Sequence, residues 1–150
     1  MQRLTTRMLS FAVGTVMCFG YSCVAQSTAP YTCLSYEPAV VKVGGTLTRK
    51  TFPGPPNYDS IGKGDRAETY WFVELHSPAC VAEDKSDPDL NPSQDRIIEV
   101  QLILDPTAYK TDKGLMGRDV IVSGTLFGAH TGHHHTPVVL TVKSIEAAHQ

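Results

Sequence analysis

The stretch that predicts the fold spans residues 96–127 and reads RIIEVQLILDPTAYKTDKGLMGRDVIVSGTLF. Apolar residues recur with a period of two through Arg96–Leu104 and again through Arg118–Phe127, which is the period of a β-strand. Between the two segments, Asp105 is a good N-cap and Pro106 suits the first position of a helix, so a short helix is expected to follow and to end at the next glycines. The stretch therefore predicts strand, helix, strand.

Three more strands are expected. Two precede this stretch, over Ala39–Lys50 and Thr69–Leu75, and one follows it, over Val138–Ile145. The resulting order, β-β-β-α-β-β, is that of the OB fold, so the prediction is an all-β domain with one short helix, a five-stranded OB-fold-like barrel. The pair Gly44-Gly45 in the first strand and Gly124 in the fourth fall where a small barrel must bend sharply. A β-sandwich is the alternative, but it needs more strands than this chain offers.

Residues 1–25 have the pattern of a cleaved secretory signal peptide. Arg3 and Arg7 precede an apolar run over Met8–Tyr21, and Cys23-Val24-Ala25 is a small-x-small cleavage site. A retained membrane anchor is the alternative, but the run is too short and wrongly flanked to span a bilayer. We therefore expect a single domain over residues 26–150, without a membrane span, in a secreted or periplasmic protein.

The net charge of the chain bears on the class of partner that it binds. Without residues 1–25, 11 basic residues remain against 15 acidic ones, a net charge of −4, and no basic run occurs. This balance argues against a nucleic-acid partner bound through its phosphates.

Cys33 and Cys80 form an even pair in an exported chain, which predicts a disulfide that stabilises the fold by roughly 4 kcal/mol. A metal site at these cysteines would need further ligands at close spacing, which the sequence lacks.

Two expected loops, Thr51–Glu68 and Gly128–Thr136, would flank the usual binding face of an OB fold. They are also the two stretches of most unusual composition, so we expect a ligand site where they meet. In the first loop, prolines stiffen the backbone around Phe52, Pro55 and Tyr58, whose rings could face a ligand. The alternative is that the two aromatic rings hold the loop against the barrel.

The second loop carries four of the six histidines of the chain, His130, His133, His134 and His135. Imidazole is a common ligand of transition metals, so a zinc or copper ion is one hypothesis for this cluster. The alternatives are hydrogen bonds that only stabilise the hairpin, and recognition of a ligand or partner, in which His130 would take part.

The strand register bears on these alternatives. A tight turn at Thr131-Gly132 would oppose His130 to His133 and place His135 on the same face. That register sets the apolar face of the fourth strand against the polar face of the fifth, whereas a one-residue shift, or a bulge, restores the apolar pairing. The shifted register opposes His130 to His134, and we favour it because it follows the core pattern.

Catalytic motifs are scarce. No GxSxG motif occurs; Asp65, Glu68 and Glu74 could lie beside a histidine that acts as general base, but Asp65-Arg66 and Glu68 are more simply interpreted as a solvated loop. The function expected is therefore an exported, periplasmic, non-enzymatic binding module for a small ligand, a glycan or a protein. The alternative is a metal-dependent enzyme that uses the histidine cluster.

Three stretches of the sequence, two of them long motifs, also carry a resemblance to a known family. They are Tyr36-Glu37-Pro38-Ala39-Val40-Val41, the segment Arg49–Tyr58 and the segment Gly124–Pro137. They resemble a family of small exported bacterial proteins known as a domain of unknown function (number 4431), over about residues 31 to 145. The resemblance implies a bacterial exported protein and brings no activity, substrate or catalytic residue.

Overall fold

The protein is described here by a computed structural model, which covers residues 32–148. The predicted signal peptide, residues 1–25, lies outside the described residues. Five strands, β1 (Val40–Pro53), β2 (Ala67–Val81), β3 (Gln94–Ile103), β4 (Asp119–Gly128) and β5 (Val138–Ala147), form most of the domain. Within residues 32–148 no helix has the length and apolar character needed to cross a membrane.

The strands close into a barrel in the order β1-β2-β3-β5-β4. All neighbours are antiparallel except β3 and β5, which pair in parallel over three residues from Gln101 to Ile103. This order and the single parallel contact are those of an OB fold, and the OB-fold-like prediction is confirmed. Alternating apolar side chains fill the interior and include Val43, Leu47, Val73, Val100, Leu102, Val120, Val122, Leu126 and Leu140.

The expected helix is present but shorter than predicted. An α-helical turn, α1 (Ala108–Thr111), continues into a 3-10 turn over Asp112–Leu115. The Asp105 carboxylate accepts hydrogen bonds from the backbone N–H groups of Thr107 (2.7 Å) and Ala108 (3.0 Å), as expected of a residue that caps a helix start. These two hydrogen bonds lower the pKa of Asp105, because they stabilise its charged form.

The prediction that Thr51–Glu68 is wholly a loop was wrong. The pairing of β1 with β2 continues through Phe52↔Glu68 to Pro53↔Ala67, so the connecting loop spans only residues 54–66. Proline is tolerated at Pro53 because the ladder ends there. As a result Phe52 and Glu68 lie side by side on a rigid sheet.

The glycines expected at sharp bends do permit close approach of strands. A Cβ on Gly45 would lie 2.1 Å from the carbonyl oxygen of Glu74, and one on Gly124 would lie 2.1 Å from that of Thr141. Real Cβ atoms do not approach a carbonyl oxygen so closely, so only glycine fits either position. At Gly44 the nearest atom would be 3.9 Å away, so this neighbouring glycine is not required by packing.

The predicted disulfide is confirmed between Cys33 and Cys80. Beside it, the N–H of Leu34 donates to the carbonyl of Cys80, and the N–H of Ala82 donates to that of Leu34, both at 2.8 Å. The disulfide therefore attaches the segment before β1 to the end of β2.

Candidate functional site

Side chains of the two loops meet on the outside of the barrel. The Tyr58 hydroxyl lies 3.2 Å from Nε2 of His133, and the Phe52 ring stacks on that of His135 with 3.7 Å between centroids. The first contact joins the β1–β2 loop to the β4–β5 loop, and the second joins the end of β1 to the β4–β5 loop, on the face that these two loops flank in an OB fold.

The histidines do not form a single cluster, because the loop divides them into two pairs. His133 and His135 face β1 and β2, whereas His130 and His134 pack on Phe127, with 4.8 Å between the two imidazole centroids. Among residues 32–148, no group of three or more His, Cys, Asp or Glu side chains is arranged to hold a metal ion. The metal hypothesis for His130, His133, His134 and His135 thus receives no support from the geometry.

The observed register of β4 and β5 explains this division. Leu126 pairs with Leu140 and Gly128 with Val138, and a bulge interrupts the ladder between Ser123 and Gly124. Apolar residues of the two strands therefore share a face, as the core pattern requires, but both expected hairpin registers were wrong, the first by three residues and the second by two. Instead of a two-residue turn, the segment after Gly128 is an irregular loop in which His134 N–H donates to the carbonyl of Thr131 at 3.1 Å.

Four side chains form a hydrogen-bonded group that we call the Glu68 network: Tyr58, Glu68, Tyr70 and His133. The Tyr70 hydroxyl donates to Oε2 of Glu68 at 2.6 Å, and Nδ1 of His133 lies 2.9 Å from the same oxygen. A neutral imidazole that donates from Nδ1 to a carboxylate keeps Nε2 as an acceptor. With this tautomer the Tyr58 hydroxyl donates to Nε2, so each of these three contacts has one donor and one acceptor.

Protonation states within the network follow from these contacts. The Tyr70 hydroxyl, followed by His133, lowers the pKa of Glu68, because hydrogen bonds to the charged form stabilise it. Burial, followed by the hydrogen bond to Glu68, raises the pKa of Tyr70. At neutral pH, Glu68 is therefore a carboxylate and Tyr70 a protonated donor.

Tyr58 is held in a left-handed backbone conformation with φ of 57°, which is uncommon for a residue with a side chain. The carboxylate of Asp65, only 5% exposed, stabilises this turn by accepting hydrogen bonds from the backbone N–H groups of Asn57, Asp59 and Ser60 at 2.8–2.9 Å. Those backbone groups also lower the pKa of Asp65. The interpretation of Asp65 as part of a solvated loop was wrong, since it organises the loop around Tyr58.

The histidine loop is attached to the sheet by Gln101, a fully buried residue of β3 that points away from the barrel interior. Its Nε2 donates to the carbonyl of His133 at 2.8 Å, and its Oε1 accepts from the N–H of His135 at 2.6 Å. The side chains of Phe72 and Val139 are also fully buried, yet they belong outside the main core cluster. The loop therefore covers a second small core on the outer face of the sheet.

Substituting Gln101→Leu should release the histidine loop. Loss of the two side-chain hydrogen bonds leaves two backbone groups without partners, at a cost of about 2 kcal/mol in the free energy of unfolding. Amide hydrogen exchange at His135 should accelerate together with this loss. The control is Gln94→Leu, at a partly exposed position of the same strand; equal effects of the two substitutions would contradict the role assigned to Gln101.

The stability of the network should also depend on pH. Because the folded state lowers the pKa of Glu68, the carboxylate contributes stability above the ordinary carboxyl range, and this contribution is lost as pH falls through the folded pKa. The groups that face it are Tyr70, His133 and Arg66, whose guanidinium is 3.6 Å away. In thermal unfolding between pH 7 and pH 3, Glu68→Gln should show a flatter pH dependence than the parent. Glu146→Gln, an exposed position of β5, should keep the parent slope.

The predicted ligand-binding residues lie in different environments. Tyr58 is 41% exposed, whereas Phe52 is half-buried beneath His135, and the carbonyl of Pro55 accepts the N–H of Arg66 within the loop. His130 is exposed, but it belongs to the pair on Phe127 rather than to the Glu68 network. The residues that sequence reasoning did not select are Tyr70 and Gln101. Strand alternation is the signal that could have identified both residues, because it places them on the outward face of the sheet with Phe72.

Comparison with known proteins finds a match to one family model over part of the chain. Residues 99–146 match the family model of the domain of unknown function DUF4431, so the resemblance noted in the sequence is confirmed over that range. The matched segment contains Gln101 and all four loop histidines. No curated protein matches the chain.

Proposed function

We propose that this protein is an exported, periplasmic, non-enzymatic binding module, whose ligand site is the Glu68 network where the two loops meet, and that its ligand is a glycan. The observation that carries the proposal is the placement of Tyr58. Its exposed ring is held in a left-handed turn by Asp65, with its hydroxyl beside Nε2 of His133. Strained backbone conformations of this kind concentrate at functional sites.

Export is supported by the amino-terminal sequence and by the disulfide. The signal-peptide pattern of residues 1–25 would direct the chain out of the cytoplasm. A bond between Cys33 and Cys80 is typical of proteins in oxidising compartments, which include the bacterial periplasm.

The chemistry of the site favours a hydroxylated ligand. An exposed tyrosine ring offers a flat apolar face, while the Tyr58 hydroxyl oxygen, whose proton is donated to His133, keeps lone pairs that accept hydrogen bonds from a ligand at the ring edge. OB folds bind oligonucleotides and oligosaccharides on this side of the barrel, so the analogy of fold suggests these two ligand classes. The net charge of −4 for residues 26–150 disfavours an oligonucleotide, because its phosphates are negatively charged. The oligosaccharide is therefore the favoured class.

The proposal can be tested on a glycan array, followed by calorimetric titration of the glycan that binds best. Tyr58→Ala should weaken binding at least about tenfold, because exposed aromatic residues commonly dominate binding energy. The control is Ile61→Ala, another exposed apolar residue of the same loop, which should bind as the parent does. Absence of binding to any glycan, or equal loss in both variants, would overturn the proposal.

A metal-dependent enzyme remains the alternative function, and elemental analysis distinguishes it. Because the loop places its histidines in two separate pairs, we expect purified protein to retain much less than one zinc or copper ion per chain. A near-stoichiometric metal content that disappears in the quadruple alanine variant of His130, His133, His134 and His135 would favour the enzyme.

A further inference from the structure

A cleft separate from the Glu68 network lies at the carboxyl end of β4. Its volume is about 350 Å³, within the range of small-ligand sites. Its walls include Glu37, Asp87, Leu90, Asn91, Phe127 and His130. The loop between β2 and β3, residues 82–93, which we call the acidic loop, thus forms one wall, and the end of β4 with His130 forms another.

Hydrogen bonds fix the walls of this cleft in place. The Asn91 side-chain oxygen accepts the N–H of Gly128 at 2.9 Å, and the Tyr36 hydroxyl donates to the carbonyl of Pro92 at 2.8 Å. The backbone of the acidic loop also packs directly on β4, because a Cβ on Gly128 would lie only 1.8 Å from the carbonyl oxygen of Leu90. The cleft is therefore preformed, which reduces the entropy cost of binding.

Aromatic rings and carboxylates line the same cleft. The rings of Phe127 and His130 are 5.6 Å apart, and His134 packs on both of them. Burial, and then the neighbouring imidazoles, lower the pKa of His134, which favours its neutral form. Within residues 32–148, neither Glu37 nor Asp87 has a basic nitrogen within 4 Å, and the segment 83–89 holds four acidic residues against one lysine.

A hard metal ion does not suit this lining. Calcium is bound by about six to eight oxygen ligands, and magnesium requires an octahedral arrangement of oxygen ligands. The described residues contain no group of three or more acidic, histidine or cysteine side chains arranged around a metal position. By contrast, an aromatic face beside a carboxylate is the environment that recognises an ammonium or guanidinium group.

We infer that the cleft between the acidic loop and the end of β4 binds an organic cation, a guanidinium or alkylammonium group. The cation lies over the ring of Phe127, and the carboxylates of Glu37 and Asp87 balance its charge. The exposed side chain of Leu90 contacts the alkyl part of the ligand. The cation is either a free small molecule or a side chain of a polypeptide, and both present the same chemistry to the cleft.

The test is an NMR titration of purified protein with Nα-acetyl-arginine methyl ester (the arginine ester), with its uncharged analogue Nα-acetyl-citrulline methyl ester (the citrulline ester), and with the peptide acetyl-Gly-Arg-Gly-amide. Shifts should concentrate at Phe127 and His130, and citrulline ester should bind at least about tenfold more weakly than arginine ester. Tighter binding of the peptide would identify a polypeptide source, and equal binding of ester and peptide a free molecule. Equal binding of citrulline and arginine esters would overturn the inference.

Variants locate the site and separate it from the proposed glycan site. The pair Glu37→Gln and Asp87→Asn should together weaken arginine ester binding about tenfold, and Phe127→Leu should do so while keeping the apolar bulk. Glu146→Gln removes one acidic charge elsewhere and should bind as the parent does. Tyr58→Ala should also leave cation binding unchanged, so failure of the glycan proposal would not affect this one. Undiminished binding in the Glu37/Asp87 variant would overturn the assignment.

Discussion

Substituting Gly45→Ala should lower the free energy of unfolding by about 3 kcal/mol, since its new methyl group would overlap two atoms of β2. These atoms are the carbonyl oxygen of Glu74, at 2.1 Å, and Cγ1 of Val73, at 2.6 Å. One of them is backbone, so rotation of a side chain cannot relieve the overlap. The strands must separate where the barrel bends. A decrease of roughly 10 to 20 °C in the melting temperature should accompany the loss.

The adjacent glycine is a matched control for this experiment. Gly44 lies in the same strand, but its side-chain position faces solvent and a Cβ there would be 3.9 Å from the nearest atom, the carbonyl oxygen of Val120. Gly44→Ala should therefore leave the melting temperature close to that of the parent, measured by circular dichroism in the same buffer. If the two variants had the same melting temperature, the packing explanation for Gly45 would be wrong.

Removing the disulfide should have an effect of similar size. The double substitution Cys33→Ser and Cys80→Ser opens a covalent loop whose ends are 47 residues apart. In the chain-entropy model, the unfolded state then regains freedom that corresponds to roughly 4 kcal/mol. Urea unfolding followed by tryptophan fluorescence would measure the loss, because Trp71 is buried in the core and close to Tyr109.

Chemical reduction supplies the control for the cysteine variant. A reducing agent should bring the parent protein to the stability of the double serine variant, and it should not change the variant itself. An unchanged stability of the parent after complete reduction would show that the cross-link contributes little to folding.

Strand alternation accounts for most of what could be predicted about the fold. Each strand repeats apolar residues with a period of two, so its inward face can be identified locally, as with Val120, Val122 and Leu126. The glycines at the bends could be identified for a related reason, because a small barrel needs close strand contacts at a few positions. Which glycine of the pair Gly44-Gly45 faces the neighbouring strand follows from the same alternation.

The extent of β1 and β2 could not be predicted from local sequence. Pro53 and the glycine and prolines that follow it are typical of a loop, yet Phe52 and Pro53 pair with Glu68 and Ala67. Pairing depends on a partner strand more than ten residues away, and this long-range contact outweighs local preference. The same extension places Glu68 on a rigid strand rather than in solvent.

The histidine loop shows the limit of sequence reasoning most directly. The sequence predicted that imidazoles would gather beside the β1–β2 connection, but the irregular loop beyond the β4–β5 ladder, rather than a strand register, decides which of them share a face. Gln101, on a different strand, holds the backbone of the loop at His133 and His135. Together with hydrogen bonds inside the loop, this contact holds His133 beside Glu68 while His130 packs on Phe127.

The sequence by itself determined the strand order, the inward faces, the bonded cysteines and the two loops that meet, because each depends on local periodicity or on residue chemistry. The tertiary structure alone decided the division of the histidines, the buried roles of Asp65 and Gln101, and the grouping of Glu68 with Tyr70 and His133. These features depend on contacts between residues far apart in the chain. Their geometry is set by the closure of the barrel, which no local pattern encodes.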